Sequence, residues 1–147
     1  MVLGQVDWRG DPTHFGLPME GQGLSHYKFS NGVHGLLVTG FEAGWEAQNR
    51  LVGEEGVIEV GHTSGVPLRV WGSGQAGWQT VDVKSDSNSL DLVQQGILDL
   101  VDALKSGREP ELAGRRALQA TELIFATYES SRRRGRVELP LSLDDSP

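Results

Sequence analysis

The apolar residues of this chain change their spacing once, near Val83, and that change decides the class of fold. From Val2 to about Val83, short β-type runs are separated by glycine-bearing turns. Beyond it, apolar residues recur at three- and four-residue steps. A period of two lines one face of a strand and a period of 3.6 lines one stripe of a helix. Strands followed by helices define the α+β class. We expect an open-faced, mainly antiparallel sheet, a meander, with two C-terminal α-helices packed on one face.

Twenty of the 147 residues are glycine, and most sit between the β-type runs. A first strand, Val2 to Trp8, is expected to break at Arg9-Gly10-Asp11-Pro12. Gln22 to Phe29 and Val33 to Phe41 flank Asn31-Gly32, a pair suited to a two-residue hairpin turn because both residues tolerate positive φ. That turn sets Phe29 opposite His34 and His26 opposite Leu37. Ser25, Tyr27, Phe29, His34, Leu36 and Val38 then share one face, and Leu24, His26, Lys28, Val33, Leu37 and Phe41 the other. Neither face is cleanly polar, so two helices covering one leave the other for a partner chain or a further domain. Two more hairpins are expected, one around Gly53 to Gly56 and one around Gly72 to Gly77. No internal repeat is visible.

In the helical half, Ser85 to Ser89 is a polar start cluster in which Asn88 and Asp91 resemble a capping box. Leu90, Val93, Ile97, Leu98, Val101 and Leu104 follow helical spacing, and Ser106-Gly107 with Pro110 ends the helix near Lys105. A second helix is expected from about Ala113 to Arg133, with Leu118, Thr121, Ile124, Phe125 and Tyr128 on one face. Arg136 to Leu139 reads as a short last strand. One domain over 1–141 and a tail over 142–147 account for the length.

Composition removes several classes of chemistry. With no cysteine, disulfides, thiolate metal sites and cysteine nucleophiles are excluded. Twenty acidic against 13 basic residues leave a net charge of −7, which disfavours nucleic acid as a partner. The run Arg132-Arg133-Arg134-Gly135-Arg136 is read as cations offsetting a helix C-terminus. Neither a membrane span nor a signal peptide is expected, and a cytoplasmic location fits.

Gly72-Ser73-Gly74-Gln75-Ala76-Gly77 matches the letters of a dinucleotide fingerprint. A strand rather than a helix is expected after it, so no helix N-terminus awaits a pyrophosphate. His14 and His62 are read as turn residues, and His26 and His34 as projecting from opposite faces, unable to share a metal. Glu54 and Glu55 are solvated turn charges; Glu20 and Glu46 could line a pocket, but nothing pairs them. No G-x-S-x-G occurs. The residues therefore assign no catalytic, cofactor-binding or metal site.

The order of segments resembles the C-terminal domain of Gfo/Idh/MocA-type oxidoreductases. The likeness lies in Phe29-Ser30-Asn31-Gly32-Val33-His34-Gly35, in Leu51 to Val60, in Asp99 through Arg108-Glu109-Pro110, in Gly114, Ala117-Leu118 and Glu122, in Tyr128 to Arg132, and in Gly135 to Pro140. It spans roughly residues 20 to 141. The resemblance implies a parent enzyme that moves a hydride between NAD or NADP and a sugar, inositol or related polyol. It also implies a Rossmann domain lying outside this chain.

The family's Glu-Lys-Pro and Asp-x-x-x-His motifs have no counterpart. Lys28, Lys84 and Lys105 do not sit between Glu and Pro, and no histidine follows an aspartate by four. No active-site residue carries over, so the chain alone is expected to be inactive and to hold no cofactor. Self-association through the open sheet face, as dimer or tetramer, is implied as well. The alternatives are a free-standing binding or assembly module without enzymatic activity and, more remotely, a small enzyme using Glu20, Glu46 and the histidines.

Overall fold

The computed structural model describes residues 1–40, 49–63, 66–83 and 89–142, with the side chains of 9–12, 14, 62, 63 and 89–92 outside the described set. Among the described residues, seven strands precede two helices: β1 (Val2–His14), β2 (Leu17–Lys28), β3 (His34–Gly40), β4 (Asn49–Val52), β5 (Gly56–Thr63), β6 (Val66–Gly72), β7 (Gln79–Thr80), α1 (Ser89–Ser106) and α2 (Gly114–Arg133). The fold is α+β and every strand pair is antiparallel. The strands form two sheets, ordered β1-β2-β3 and β4-β5-β6-β7. The chain divides into two compact units, one of residues 1–41 with 96–147 and one of residues 42–95.

In the first unit, the expected break at Arg9 to Pro12 is an irregularity inside one long strand. β1 continues to His14, which pairs with Leu17. The reversal falls at Phe15-Gly16, whose φ values of 52° and 79° are those of a type I′ turn. The β2–β3 loop also differs from expectation. Gly32 donates its N–H to the Phe29 carbonyl and Phe29 donates to Val33, so Ser30, Asn31 and Gly32 form a three-residue loop. Only Gly32 has positive φ, at 89°, while the Asn31 side chain accepts the Val33 N–H at 3.1 Å. The extra loop residue moves the register by one, setting Lys28 opposite His34 and His26 opposite Leu36.

α2 lies along β1, the edge strand, and occupies the hydrogen-bonding groups that an edge leaves bare. Gly4 donates to Ser130 Oγ at 2.8 Å and Val6 to Ser131 Oγ at 3.0 Å. Val2 exchanges two backbone bonds with Val137, so the expected final strand is a single bridge. The approach is close because Gly4 has no side chain: a Cβ there would lie 2.5 Å from Thr127 Cγ2. Val2, Ala126 and Val137 form the buried centre, with Tyr27, Leu123, Leu139 and Leu141 packed around it.

The buried residues of α2 are Ala126, Glu129 and Ser130, whereas Leu118 and Phe125 of the expected apolar stripe are exposed. Ala126 and Ser130 meet β1 where the approach at Gly4 is closest. α1 ends as its sequence suggests. Gly107 is left-handed at φ 70°, and Arg108 donates to the Ala103 carbonyl, satisfying an orphan acceptor of the last turn. Along α1, Val93, Ile97, Leu98 and Leu104 remain exposed. Asn88 of the expected capping box lies outside the described residues.

In the second unit both expected hairpins form. Val52 pairs with Val57 across Gly53 to Gly56, and Val70 pairs with Gln79 beyond the Gly72 to Gly77 loop. Glu59 of β5 stands between Arg50 of β4 and Arg69 of β6, directly opposite each. It is fully buried and ion-paired to both, and the Arg69 guanidinium also lies 4.3 Å from the centre of the Trp78 ring.

Candidate functional site

A cleft of about 550 Å³ opens in the first unit between its sheet and α2. Glycines on β2 and Ala120 on α2 leave its space unfilled by side chains, with Leu37, Leu123 and Ile124 supplying apolar surface. Ser25 and Thr127 bond to each other at 2.9 Å, and Thr127 donates its proton to the Leu123 carbonyl. These hydroxyls are therefore engaged within the protein. Glu20 is the charged residue of the lining. A polyol site needs converging donors and acceptors, because each buried hydroxyl left unpaired is costly. This lining instead suits an apolar occupant.

Glu20 reaches the cleft through a bulge. Asp7 pairs with Gln22 but Trp8 pairs with Glu20, so Gly21 is the extra residue of β2. Strict alternation would place Glu20 beside Gln22 and Leu24 on the opposite face. The bulge turns it toward the side where Trp8 stacks on Tyr128, 5.9 Å between ring centres. The reading of Glu20 as a pocket residue thus agrees with the structure. Glu46 lies outside the described residues. Among the described side chains, no histidine lines the cleft.

The histidines fall elsewhere. His14 and His62, read as turn residues, have their backbones in β1 and β5. His26 and His34 are not on opposite faces. The one-residue shift of the hairpin puts both on the open face of the three-stranded sheet, with His26 Nε2 2.8 Å from His34 Nδ1. The sequence signal for this pair was Ser30, the residue that makes a three-residue loop available. Among the described residues, no group of three or more histidine, cysteine, aspartate or glutamate side chains could hold a metal.

Among the described residues the buried carboxylates, Glu59 and Glu129, are each ion-paired to two arginines. Hydrogen bonding from Arg132 holds the Glu129 carboxyl below its ordinary range, against the opposing effect of burial and with Arg133 adding to it. For Glu59, burial raises the proton affinity, but the Arg69 and Arg50 guanidinium groups more than offset it, so its carboxyl too is lowered. A general acid near neutral pH needs the reverse shift. The arginine cluster is likewise absorbed: Arg132 and Arg133 clamp Glu129, and Arg134 is the left-handed C-cap of α2. Gly72 to Gly77 joins β6 to β7, so no helix follows the fingerprint letters. Among the described residues, no helix is long and apolar enough to cross a membrane.

No family model and no curated protein sequence matches the chain. Its fold is shared with two solved structures. Aldose-aldose oxidoreductase from Caulobacter crescentus, determined with glycerol bound, superimposes with a TM-score of 0.73 at 20% identity, over 94% of this chain and 40% of that one. An oxidoreductase domain protein from Kribbella flavida gives 0.75 at 17% identity, over 95% of this chain and 44% of that one. The chain thus spans less than half the length of either protein. Both neighbours carry the name oxidoreductase, which accords with the resemblance read from the segments above.

Proposed function

We propose that this chain is the substrate-side and oligomerisation domain of an NAD(P)-dependent oxidoreductase acting on a sugar, an inositol or a related polyol. The carrying observation is the fold match, which takes nearly the whole chain and under half of each neighbour. In this reading the nucleotide and the hydride-transfer residues belong to a Rossmann domain in the same enzyme, and this chain alone is inactive.

The test is isothermal titration of the chain with NAD and NADP, beside the translated sequence upstream of Met1. No micromolar binding and an in-frame dinucleotide domain upstream are expected. Micromolar binding to the chain itself would sink the assignment. The second reading, a free-standing binding or assembly module, draws on the exposed sheet face that bears Leu3, Leu24, Leu36 and Val38. A native start at Met1 with no adjoining dinucleotide domain would favour it.

A further inference from the structure

We infer that His26 and His34 form a two-imidazole chelate for a borderline transition-metal dication, copper(II), nickel(II) or zinc(II), on the open face of the three-stranded sheet. The site rests on hairpin geometry alone and does not depend on the oxidoreductase reading. His26 lies on β2, the central strand, hydrogen-bonded to neighbours on both sides, and His34 opens β3. The two positions are diagonal neighbours on one face, a separation that long and ring side chains bridge.

The ring centres are 5.1 Å apart, the nitrogens 2.8 Å, and the planes differ by 13°. The centre separation equals the nitrogen contact plus the two ring radii, so the rings meet edge to edge in nearly one plane. One nitrogen donates its proton and the other presents its lone pair. Imidazole binds such ions at about 2.0–2.1 Å, so two ligands at the right angles that copper(II) and nickel(II) prefer sit about 2.9 Å apart, against about 3.3–3.4 Å at the tetrahedral angle of zinc(II). The observed contact is already at the right-angle spacing. Rotation of the two rings turns both lone pairs toward one ion, and His34, exposed at the strand end, has room to rotate.

Binding needs no net change of protons between neutral rings. The proton shared between Nε2 of His26 and Nδ1 of His34 moves to the far nitrogen of its own ring through solvent. Both facing nitrogens then ligate. Leu3 and Leu36 flank His26 on the adjacent strands, and Lys28 stands opposite His34. None of the three is a competing ligand. Water or a donor from another molecule fills the remaining positions, as an open two-histidine site requires.

Nickel(II), copper(II) and zinc(II) chlorides are titrated into the full chain, with heat and the imidazole proton resonances followed. We expect one ion per chain for at least one metal, and earliest broadening by copper(II) of the His26 and His34 rings. His26→Gln or His34→Gln should weaken binding by about tenfold or more, since each removes one of two protein ligands. His14→Gln and His62→Gln should leave it unchanged. Circular dichroism of the variants separates loss of the ligand from loss of the fold. No binding, binding unaffected in folded His26→Gln and His34→Gln, or first broadening at His14 or His62 overturns the assignment.

Discussion

Ser130 and Ser131 stand where an edge strand would otherwise leave its amides bare. Ser130 is fully buried, accepts from the Gly4 N–H and donates to the Gly135 carbonyl. Ser130→Ala strands both backbone groups, and unsatisfied buried groups cost about 1–3 kcal/mol. A melting temperature lower by roughly 2–12 °C is expected, read by circular dichroism. Ser131→Ala should cost less, because Ser131 is only half-buried and has one such bond to lose. Next to it, Glu129 sets a pH dependence. Its folded carboxyl titrates below the ordinary value of 4.5, so the unfolded chain binds more protons as pH falls through that range. The stabilisation is present above about pH 4.5 and disappears as pH drops through the lower folded value. Glu129→Gln should reduce proton uptake on acid unfolding by as much as one proton, measured from denaturant melts between pH 6 and pH 3. An unchanged slope would show that the arginine clamp contributes nothing to it.

Elements were legible where one local rule decided them and obscure where two rules competed. The change of period at Val83, the end of α1 at Gly107 and the hairpin at Gly53 to Gly56 follow from single signals, and the structure agrees with each. The β2–β3 hairpin did not, because Asn31-Gly32 serves equally as a two-residue turn or as the end of a three-residue loop. The backbone bonds of Phe29 with Gly32 and Val33 settle it. One residue of register moved Leu37 to the helix side and brought His26 to His34, which is why the histidine pair was invisible beforehand. Glu20 had a similar fate through the bulge at Gly21, although there the expected pocket role agreed. The Phe15-Gly16 reversal was hidden by a residue that rarely adopts positive φ. That mismatch makes a prediction at the scale of the hairpin. Phe15 is 94% exposed at φ 52°, so Phe15→Asn replaces a strained left-handed residue with one that tolerates the conformation. A gain of about 0.5–1 kcal/mol is expected from urea melts. Equal stability of the two forms would show that Phe15 repays its strain through contacts of its own ring.

Both units leave apolar sheet residues facing outward. In the first, the face opposite α2 carries Leu3, Leu24, Leu36 and Val38 at 44%, 45%, 68% and 51% exposure. In the second, Leu51, Ile58 and Val60 share one face of β4 and β5 and are also exposed. Contiguous apolar patches of more than a few hundred Å² are rare on monomers, which makes a covering surface the physical expectation. We propose that a second copy of the chain covers the first of these faces, since a twofold axis sets one face against the same face of the partner. Light scattering in the presence of a chelator, which removes any ion held by His26 and His34, should then give twice the mass of 16.0 kDa. Leu36→Lys places an ammonium group on that face and should weaken the dimer by about tenfold or more, because the charge must be desolvated on association. Leu118→Lys on the exposed side of α2 changes charge equally without touching the sheet and should leave the mass unaltered. A monomer in the unmodified chain would assign the face to another domain of a longer enzyme. Dissociation by Leu118→Lys alone would move the interface to the helix.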